Sequence, residues 1–196
     1  MRYLFYLTLS YSFSILRPLE KVIVKSGGSV AWFIPKGSEA EDFILDSDNR
    51  LFTVDQVKAF SAHATFVPGN VVPDFFPGIK VQIFHGFDSG KKNVFKLRGF
   101  FDLYCTQGPI MTNGFRNISD NTCEIVETGW SKLDPLFISH SDVKKYKTDL
   151  PLILYAPTFS PKLRSTYDLF EKIKDLALKD KWRWLIQLHP KAKKEE

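Results

Sequence analysis

The chain has 196 residues, 44% of them hydrophobic and 25% charged, and this balance excludes an intrinsically disordered protein. Two cysteines are too few for a disulfide framework or a cysteine-rich zinc site, and no run of about 20 apolar residues could span a membrane. The net charge of +5 suits an anionic partner, such as a phosphate, a nucleotide or an acidic membrane surface. The amino-terminal apolar run lacks the small-residue cleavage site of a signal peptide, so we expect a cytoplasmic protein.

The amino-terminal segment alternates between strand and helix patterns. The apolar run YLFYLTLS predicts a buried strand, and Leu16, Leu19 and Ile23 then repeat with a helical period. The pair Gly27–Gly28 ends this helix, and SVAWFIP returns to a strand pattern. A strand, a helix and a strand in this order indicate a parallel sheet.

Further apolar runs each end at a glycine, namely ATFVPG, VQIFHG, DLYCTQG and CEIVETG. Each of them predicts a short strand. In an open α/β sheet, the carboxyl ends of the parallel strands and the loops after them form the ligand crevice. We therefore expect His85, the pair Gln107–Gly108 and the pair Thr128–Gly129 to lie along one edge of the sheet.

A polar, charged segment over residues 139–150 indicates a linker. After it, LILYAPTF predicts a strand, an amphipathic helix pattern begins at Ser165, and WRWLIQLHPK predicts a second strand. The sequence thus predicts an α/β protein with a Rossmann-like parallel-sheet domain over residues 1–138 and the first β-α-β of a second Rossmann-like domain over residues 151–196. Because one β-α-β unit cannot cover both faces of its own sheet, we expect the second domain to be truncated here.

Five stretches in one order support a resemblance to a known family: FHGFDSGKK, DLYCTQG, ETGWSKLDPLF, LILYAPTF and LIQLHPK. With them the chain resembles the CDP-glycerol glycerophosphotransferase family, bacterial enzymes of the cell envelope that build teichoic-acid-type polymers. The resemblance covers roughly residues 80–191. It implies a GT-B-like architecture, in which an amino-terminal acceptor domain and a carboxy-terminal nucleotide-binding domain face each other across a cleft.

The resemblance implies a transferase that moves glycerol phosphate from CDP-glycerol to a hydroxyl group of a cell-surface polymer or glycan. The implied partners are CDP-glycerol or a similar nucleotide donor, a polymer or glycan acceptor, and the inner face of the cytoplasmic membrane as a peripheral surface. Nucleic acid is not expected, because the lysines are scattered and the aromatic residues fit a core. CDP-glycerol is a co-substrate, and we expect no cofactor and no metal, since the chain lacks G-x-G-x-x-G, Asp-x-Asp and a His/Cys cluster.

The resemblance also implies roles for individual residues. His85 matches the histidine of the family's H-G motif, which implies a general base, and Gly86 leaves the backbone beside it open to a substrate. His189 matches a second histidine, in an H-P motif, which would assist the departure of CMP. The expected phosphate-binding and substrate-binding residues are Lys91, Lys92, Thr158, Ser160, Lys162 and Arg164. Family members often carry tryptophan and arginine after YAPT, where this chain has Phe159 and Ser160, and this departure leaves the identity of the donor open.

Two other functions remain open. The chain could be a GT-B glycosyltransferase or epimerase that uses a nucleotide sugar, since that class shares the fold and the strand-end histidines. It could also be a non-catalytic, truncated homologue that binds a polymer or a membrane surface through its basic charge. Under either enzyme hypothesis, we expect the 196-residue chain by itself to be catalytically silent, because donor and acceptor must be positioned together.

Overall fold

A parallel sheet with helices on both faces dominates the computed structural model, which describes residues 1–87, 90, 94–138, 149–189 and 192. The chain divides into two compact units, residues 1–141 and 142–196. The predicted linker lies outside the described residues except for its last two positions, so the predicted domain limits stay a prediction.

In unit 1 the described residues form seven strands, all paired in parallel: β1 (Arg2–Tyr6), β2 (Ser29–Phe33), β3 (Arg50–Leu51), β4 (Ala64–Val67), β5 (Ile79–Gln82), β6 (Leu103–Thr106) and β7 (Glu124–Glu127). The helices are α1 (Phe13–Lys25), α2 (Val54–Phe60), α3 (Pro109–Arg116) and α4 (Asp134–Ile138), with 3-10 turns at Ser10–Ser12, Glu39–Phe43 and Ser131–Leu133. The predicted α/β class is therefore confirmed.

The strand order is β3-β2-β1-β4-β5-β6-β7. The chain builds outward from β1 in one direction through β2 and β3, then returns and builds outward in the other direction from β4. The order therefore reverses between β1 and β4. This is the doubly wound arrangement, in which ligands bind outside the carboxyl ends of the strands at the reversal.

Alternating side chains of the strands enter two separate cores, one on each face of the sheet. In β1, Leu4 enters the core that α2 and α3 cover, while Phe5 enters the core that α1 covers. Each face of a parallel sheet must be covered in this way, because its strands are apolar on both sides. Trp32 of β2 is fully buried against Phe5, with ring centroids 4.9 Å apart.

In unit 2, β8 (Leu152–Tyr155) and β9 (Arg183–Ile186) pair in parallel, and α5 (Thr166–Ala177) connects them. This is the predicted β-α-β. The hydroxyl groups of Tyr155 and Ser165 are 2.9 Å apart, which ties the end of β8 to the start of α5. None of the helices in the described part of the chain combines the length and the apolar character that a membrane crossing needs.

Candidate functional site

A cavity of about 240 Å³ opens at the reversal of the sheet in unit 1. Its walls are the end of β1 with the segment after it (residues 6–12), the end of β4 with the loop after it (residues 67–71), and His85 after β5. Three strands that are far apart in the sequence thus end at one cavity. Its position agrees with the general location of ligand sites in doubly wound sheets.

His85 has an orientation that its hydrogen bond defines. Its Nδ1 lies 2.9 Å from the carbonyl oxygen of Pro68, and because a carbonyl oxygen can only accept, Nδ1 carries the hydrogen. In the neutral ring Nε2 then carries the lone pair. The half-buried imidazole also lies against Tyr11, with ring centroids 5.4 Å apart. This arrangement presents a histidine whose second nitrogen can accept a proton.

The backbone turns sharply at Phe84, immediately before His85. Phe84 has φ +55°, an uncommon conformation for an aromatic residue, and its buried ring packs against Phe115 with centroids 5.2 Å apart. After the histidine, the carbonyl oxygen of Gly86 accepts a hydrogen bond of 2.9 Å from Nε2 of Gln107. Both sides of His85 are therefore anchored to the core or to a neighbouring strand end.

Neutral polar groups provide most of the cavity's hydrogen-bonding capacity. Thr8, Tyr11 and Ser12 contribute hydroxyl groups, and Asn70 contributes an amide. The described residues that line the cavity include no lysine and no arginine. These groups can hydrogen-bond a ligand that carries hydroxyl groups, and Ser12 also places the N-terminus of α1 at the cavity.

His85 and Gly86 could be predicted at this edge from the sequence, but the residues of the other two loops could not. Thr8, Tyr11, Ser12 and Asn70 occur in no motif. Only their place in the fold could have indicated them, because the first β-α connection of a doubly wound sheet lies at the reversal of the strand order. Gln107 was predicted at the same edge, and its contact with Gly86 links the TQG and FHG stretches directly.

Most of the other predicted site residues lie in unit 2. The rings of Phe159 and His189 are 4.3 Å apart, so the loop after β8 meets the end of β9. The Arg164 guanidinium lies 4.3 Å from the centre of the Tyr167 ring, and the carbonyl oxygen of Ser160 accepts from the Arg164 backbone N–H at 2.8 Å. The remaining predicted residues of this unit, Thr158 and Lys162, are exposed.

Two predicted residues, Lys91 and Lys92, lie outside the described residues. His85 and His189 belong to different units, so the expectation that they face each other across a cleft stays a prediction. Among the residues that the structure describes, no three His, Cys, Asp or Glu side chains are grouped as metal ligands would be. The expected absence of a metal and of a cofactor also stays a prediction.

The segment after β7 closes one face of unit 1. Gly129 has φ +78° and turns the chain, and the Ser131 hydroxyl donates to the carbonyl oxygen of Ile15 on α1 at 2.7 Å. A second cavity of about 320 Å³ lies beneath this segment, with Cys105 in its wall. Burial raises the pKa of the Cys105 thiol more than its hydrogen bond with Thr128 lowers it, so the thiol is protonated at neutral pH and a poor nucleophile.

The fold and the cavity define an α/β protein with a doubly wound parallel sheet and a hydroxyl-lined, histidine-bearing site at the reversal of that sheet. No family model matches the chain, and no curated protein sequence matches it.

Among solved structures, the chain is similar to the wall teichoic acid polymerase TagF, in a histidine-to-asparagine variant soaked with CDPG. The two share 15% sequence identity with a TM-score of 0.57. The match covers 96% of this chain and 55% of the TagF chain. At this identity the likeness shows the fold. The present chain spans about half the length of its neighbour.

Proposed function

We propose that the chain belongs to a transferase that moves glycerol phosphate from CDP-glycerol to a hydroxyl group of a polymer or glycan acceptor. The observation that carries the proposal is the cavity at the sheet reversal, with a histidine oriented by the Pro68 carbonyl and with hydroxyl and amide groups around it. The likeness to a teichoic acid polymerase supports this reaction class over the other enzymes that share the fold. In this proposal, unit 1 binds the acceptor.

The proposed reaction needs a base because an alcohol is a poor nucleophile at neutral pH. Nε2 of His85 takes the proton from the acceptor hydroxyl as the acceptor oxygen forms a bond to the β-phosphorus of CDP-glycerol. The bond between that phosphorus and the bridging oxygen breaks, and CMP leaves with the bonding electrons. Gly86 has no side chain, which allows the acceptor to approach the imidazole closely.

We assign the donor side to unit 2. His189 would supply a proton or positive charge to the departing CMP, and Thr158, Ser160, Lys162 and Arg164 of this unit would hold the donor phosphates. Lys91 and Lys92, which follow His85 in the sequence of unit 1, would stabilise the charge of the phosphoryl group in transfer. What supports this assignment is the position of His189, Thr158 and Ser160 at the carboxyl ends of β8 and β9, where α/β proteins bind ligands. We also propose that the protein works at the cytoplasmic face of the membrane, the location that the resemblance to the CDP-glycerol glycerophosphotransferase family implies.

The test is a transfer assay with CDP-glycerol and a glycerol phosphate oligomer as the acceptor. The assay uses the protein expressed from the longest reading frame that contains these residues. The 196-residue chain is assayed in parallel. The informative change is His85→Asn, because the asparagine amide can still donate to Pro68 but offers no base in place of Nε2. We expect turnover to fall about 100-fold or more. The change in KM should be small.

The matched control is His63→Asn. His63 accepts a hydrogen bond from the backbone N–H of Arg2 through Nδ1, which an asparagine oxygen can replace, and it lies outside the cavity. Turnover of this variant should stay within about twofold of wild type, as for surface changes that preserve their contacts. Near-normal turnover in His85→Asn would remove His85 from the mechanism. Transfer from UDP-sugars instead of CDP-glycerol would favour the glycosyltransferase alternative.

A further inference from the structure

Two buried glutamines lie beside His85 without belonging to the cavity wall. Gln82, at the end of β5, is fully buried, and Gln107, just after β6, is 8% exposed. Glutamine is seldom found this deeply buried in a protein interior, because both ends of its amide then need partners. The contacts of these two amides are therefore informative.

Gln107 holds the residue that follows His85. Its Nε2 donates to the carbonyl oxygen of Gly86 at 2.9 Å, joining the end of β6 to the turn after β5. On the other side of the histidine, Phe84 has its left-handed backbone and its ring in the core. A turn with a bulky residue at positive φ persists only where its surroundings hold it. Gln107 supplies one of those restraints.

Gln82 contacts the group that orients the imidazole. Its Nε2 lies 3.5 Å from the carbonyl oxygen of Pro68, the same oxygen that accepts the hydrogen bond from Nδ1 of His85. The Pro68 carbonyl therefore faces two donors, one from each side chain. This reinforces its role as an acceptor and disfavours the ring tautomer in which Nδ1 would present a lone pair to it.

Each glutamine has one unsatisfied atom. The Oε1 atoms of Gln82 and Gln107 are buried and have no hydrogen-bond partner among the described residues. Reversing either amide would place an oxygen against a carbonyl oxygen, so the observed orientations are the consistent ones. An apolar side chain of similar size would avoid the unsatisfied oxygen, and stability alone therefore does not account for the two amides.

We propose that Gln107, assisted by Gln82, is a positioning residue that holds His85 in the Nδ1–H tautomer and thereby leaves the lone pair on Nε2. The contribution of these contacts to catalysis rests on the proposed function. The assignment of the His85 tautomer does not depend on that function. Free imidazole side chains favour the opposite tautomer, with the hydrogen on Nε2. The Gln82 contact fixes the Pro68 carbonyl that accepts from Nδ1, and the Gln107 contact fixes the backbone that follows His85, so that the ring stays against that carbonyl.

The tautomer can be measured on the 196-residue chain without any substrate. Two-bond ¹H–¹⁵N correlation spectra at a pH where the rings are neutral distinguish a protonated Nδ1 from a protonated Nε2. We expect His85 to show a protonated Nδ1. His63 provides an internal reference of the opposite kind, because its Nδ1 accepts from Arg2 and its hydrogen must therefore reside on Nε2. The spectra of the His85→Asn and His63→Asn variants assign the signals.

The test of the positioning role is Gln107→Leu, with Thr65→Val as the matched control. Thr65 is also buried and its side chain also donates to a backbone carbonyl, that of Pro77 at 2.9 Å, but it does not contact the His85 turn. Gln107→Leu should shift His85 toward the Nε2–H tautomer and lower kcat by at least about 10-fold with KM little changed. Thr65→Val should leave the His85 signals and kcat unchanged. Gln107→Met has a similar length and no donor, and this variant is used if the leucine variant does not fold.

Two results would overturn the inference. One is a His85 ring with the hydrogen on Nε2 in the wild-type chain. The other is an unchanged His85 signal in both folded Gln107 variants. Failure of the proposed function would be seen separately, as the lack of transfer in the assay above, and would leave the tautomer measurement intact.

Discussion

At the scale of single residues, two glycines with similar backbone angles have very different surroundings. Gly37 has φ +77° and Gly78 has φ +73°, both in the left-handed region. A Cβ at Gly37 would meet nothing within 4 Å, whereas a Cβ at Gly78 would lie 2.4 Å from the backbone carbonyl of His63. Gly78 directly precedes β5, the strand that leads to His85. Its role is therefore to allow two backbones to approach each other.

This pair gives a prediction with a built-in control. Gly37→Ala should lower the free energy of unfolding by about 1 kcal/mol, the cost of placing an alanine at positive φ. Gly78→Ala should lower it by about 3 kcal/mol or more, because the backbone of β4 or β5 must also move. Urea unfolding followed by circular dichroism measures both. Equal losses in the two variants would contradict the close approach.

The residues of the candidate site differ in whether the local sequence is enough to predict them. His85 and Gly86 could be predicted because a histidine and a glycine directly end an apolar run. Asn70 and Tyr11 could not, because each is an ordinary loop residue whose importance arises when the ends of β1 and β4 become neighbours. The sequence could not predict the tautomer of His85 either, because the Pro68 carbonyl that orients the ring is 17 residues away.

At the scale of elements, one ion pair connects α1 to the edge of the sheet. Arg17 of α1 makes a bidentate pair with Asp48, and its guanidinium lies 4.3 Å from the centre of the Trp32 ring on β2. The Asp48 side chain is only 5% exposed. Burial raises the pKa of Asp48, but the hydrogen bonds from Arg17 and from the Leu45 N–H, with the Arg17 charge, lower that pKa more. The net effect is a depressed pKa.

A depressed carboxyl pKa in the folded state predicts a specific acid dependence. The contribution of Asp48 to the free energy of unfolding is complete above its unfolded pKa, near 3.9, and is lost as the pH falls through the lower folded pKa. Asp48→Asn should therefore lower stability by about 2 kcal/mol at neutral pH and flatten the loss of stability below about pH 4. Urea unfolding across this pH range measures the effect.

The control for this change is Asp46→Asn, which removes the same charge from an exposed position two residues away. It should change the unfolding free energy by less than about 0.5 kcal/mol and leave the acid dependence unaltered. If Asp46→Asn and Asp48→Asn behaved alike, net charge and not the ion pair with Arg17 would explain the acid dependence.

At the scale of the whole molecule, the hydrophobic core is unevenly divided. Every buried hydrophobic side chain among the described residues, apart from Ile173, belongs to unit 1. Unit 1 covers both faces of its seven-stranded sheet with its own helices and loops. The described part of unit 2 has two strands and one helix, and a two-stranded sheet has little stability of its own.

We therefore expect residues 1–141, produced alone, to fold and to unfold cooperatively in urea, because the segment contains two complete cores. Residues 142–196, produced alone, should show weak far-ultraviolet circular dichroism and no cooperative transition. Each segment is the control for the other. Cooperative unfolding of the second segment, together with a non-cooperative first one, would contradict this division of the core.

The sequence by itself determined the class of the fold and the identity of the residues at several strand ends. Apolar runs, helical periods and terminal glycines are local properties, and they indicated the alternation of strand and helix that a parallel sheet requires. Only the tertiary structure decided which strand ends meet. The reversal between β1 and β4 depends on long-range backbone pairing, such as Tyr3 with Ala64, for which a local pattern contains no information. The cavity follows from that pairing, and the orientation of His85 and the glutamine contacts follow from the pairing of β5 with β4 and with β6.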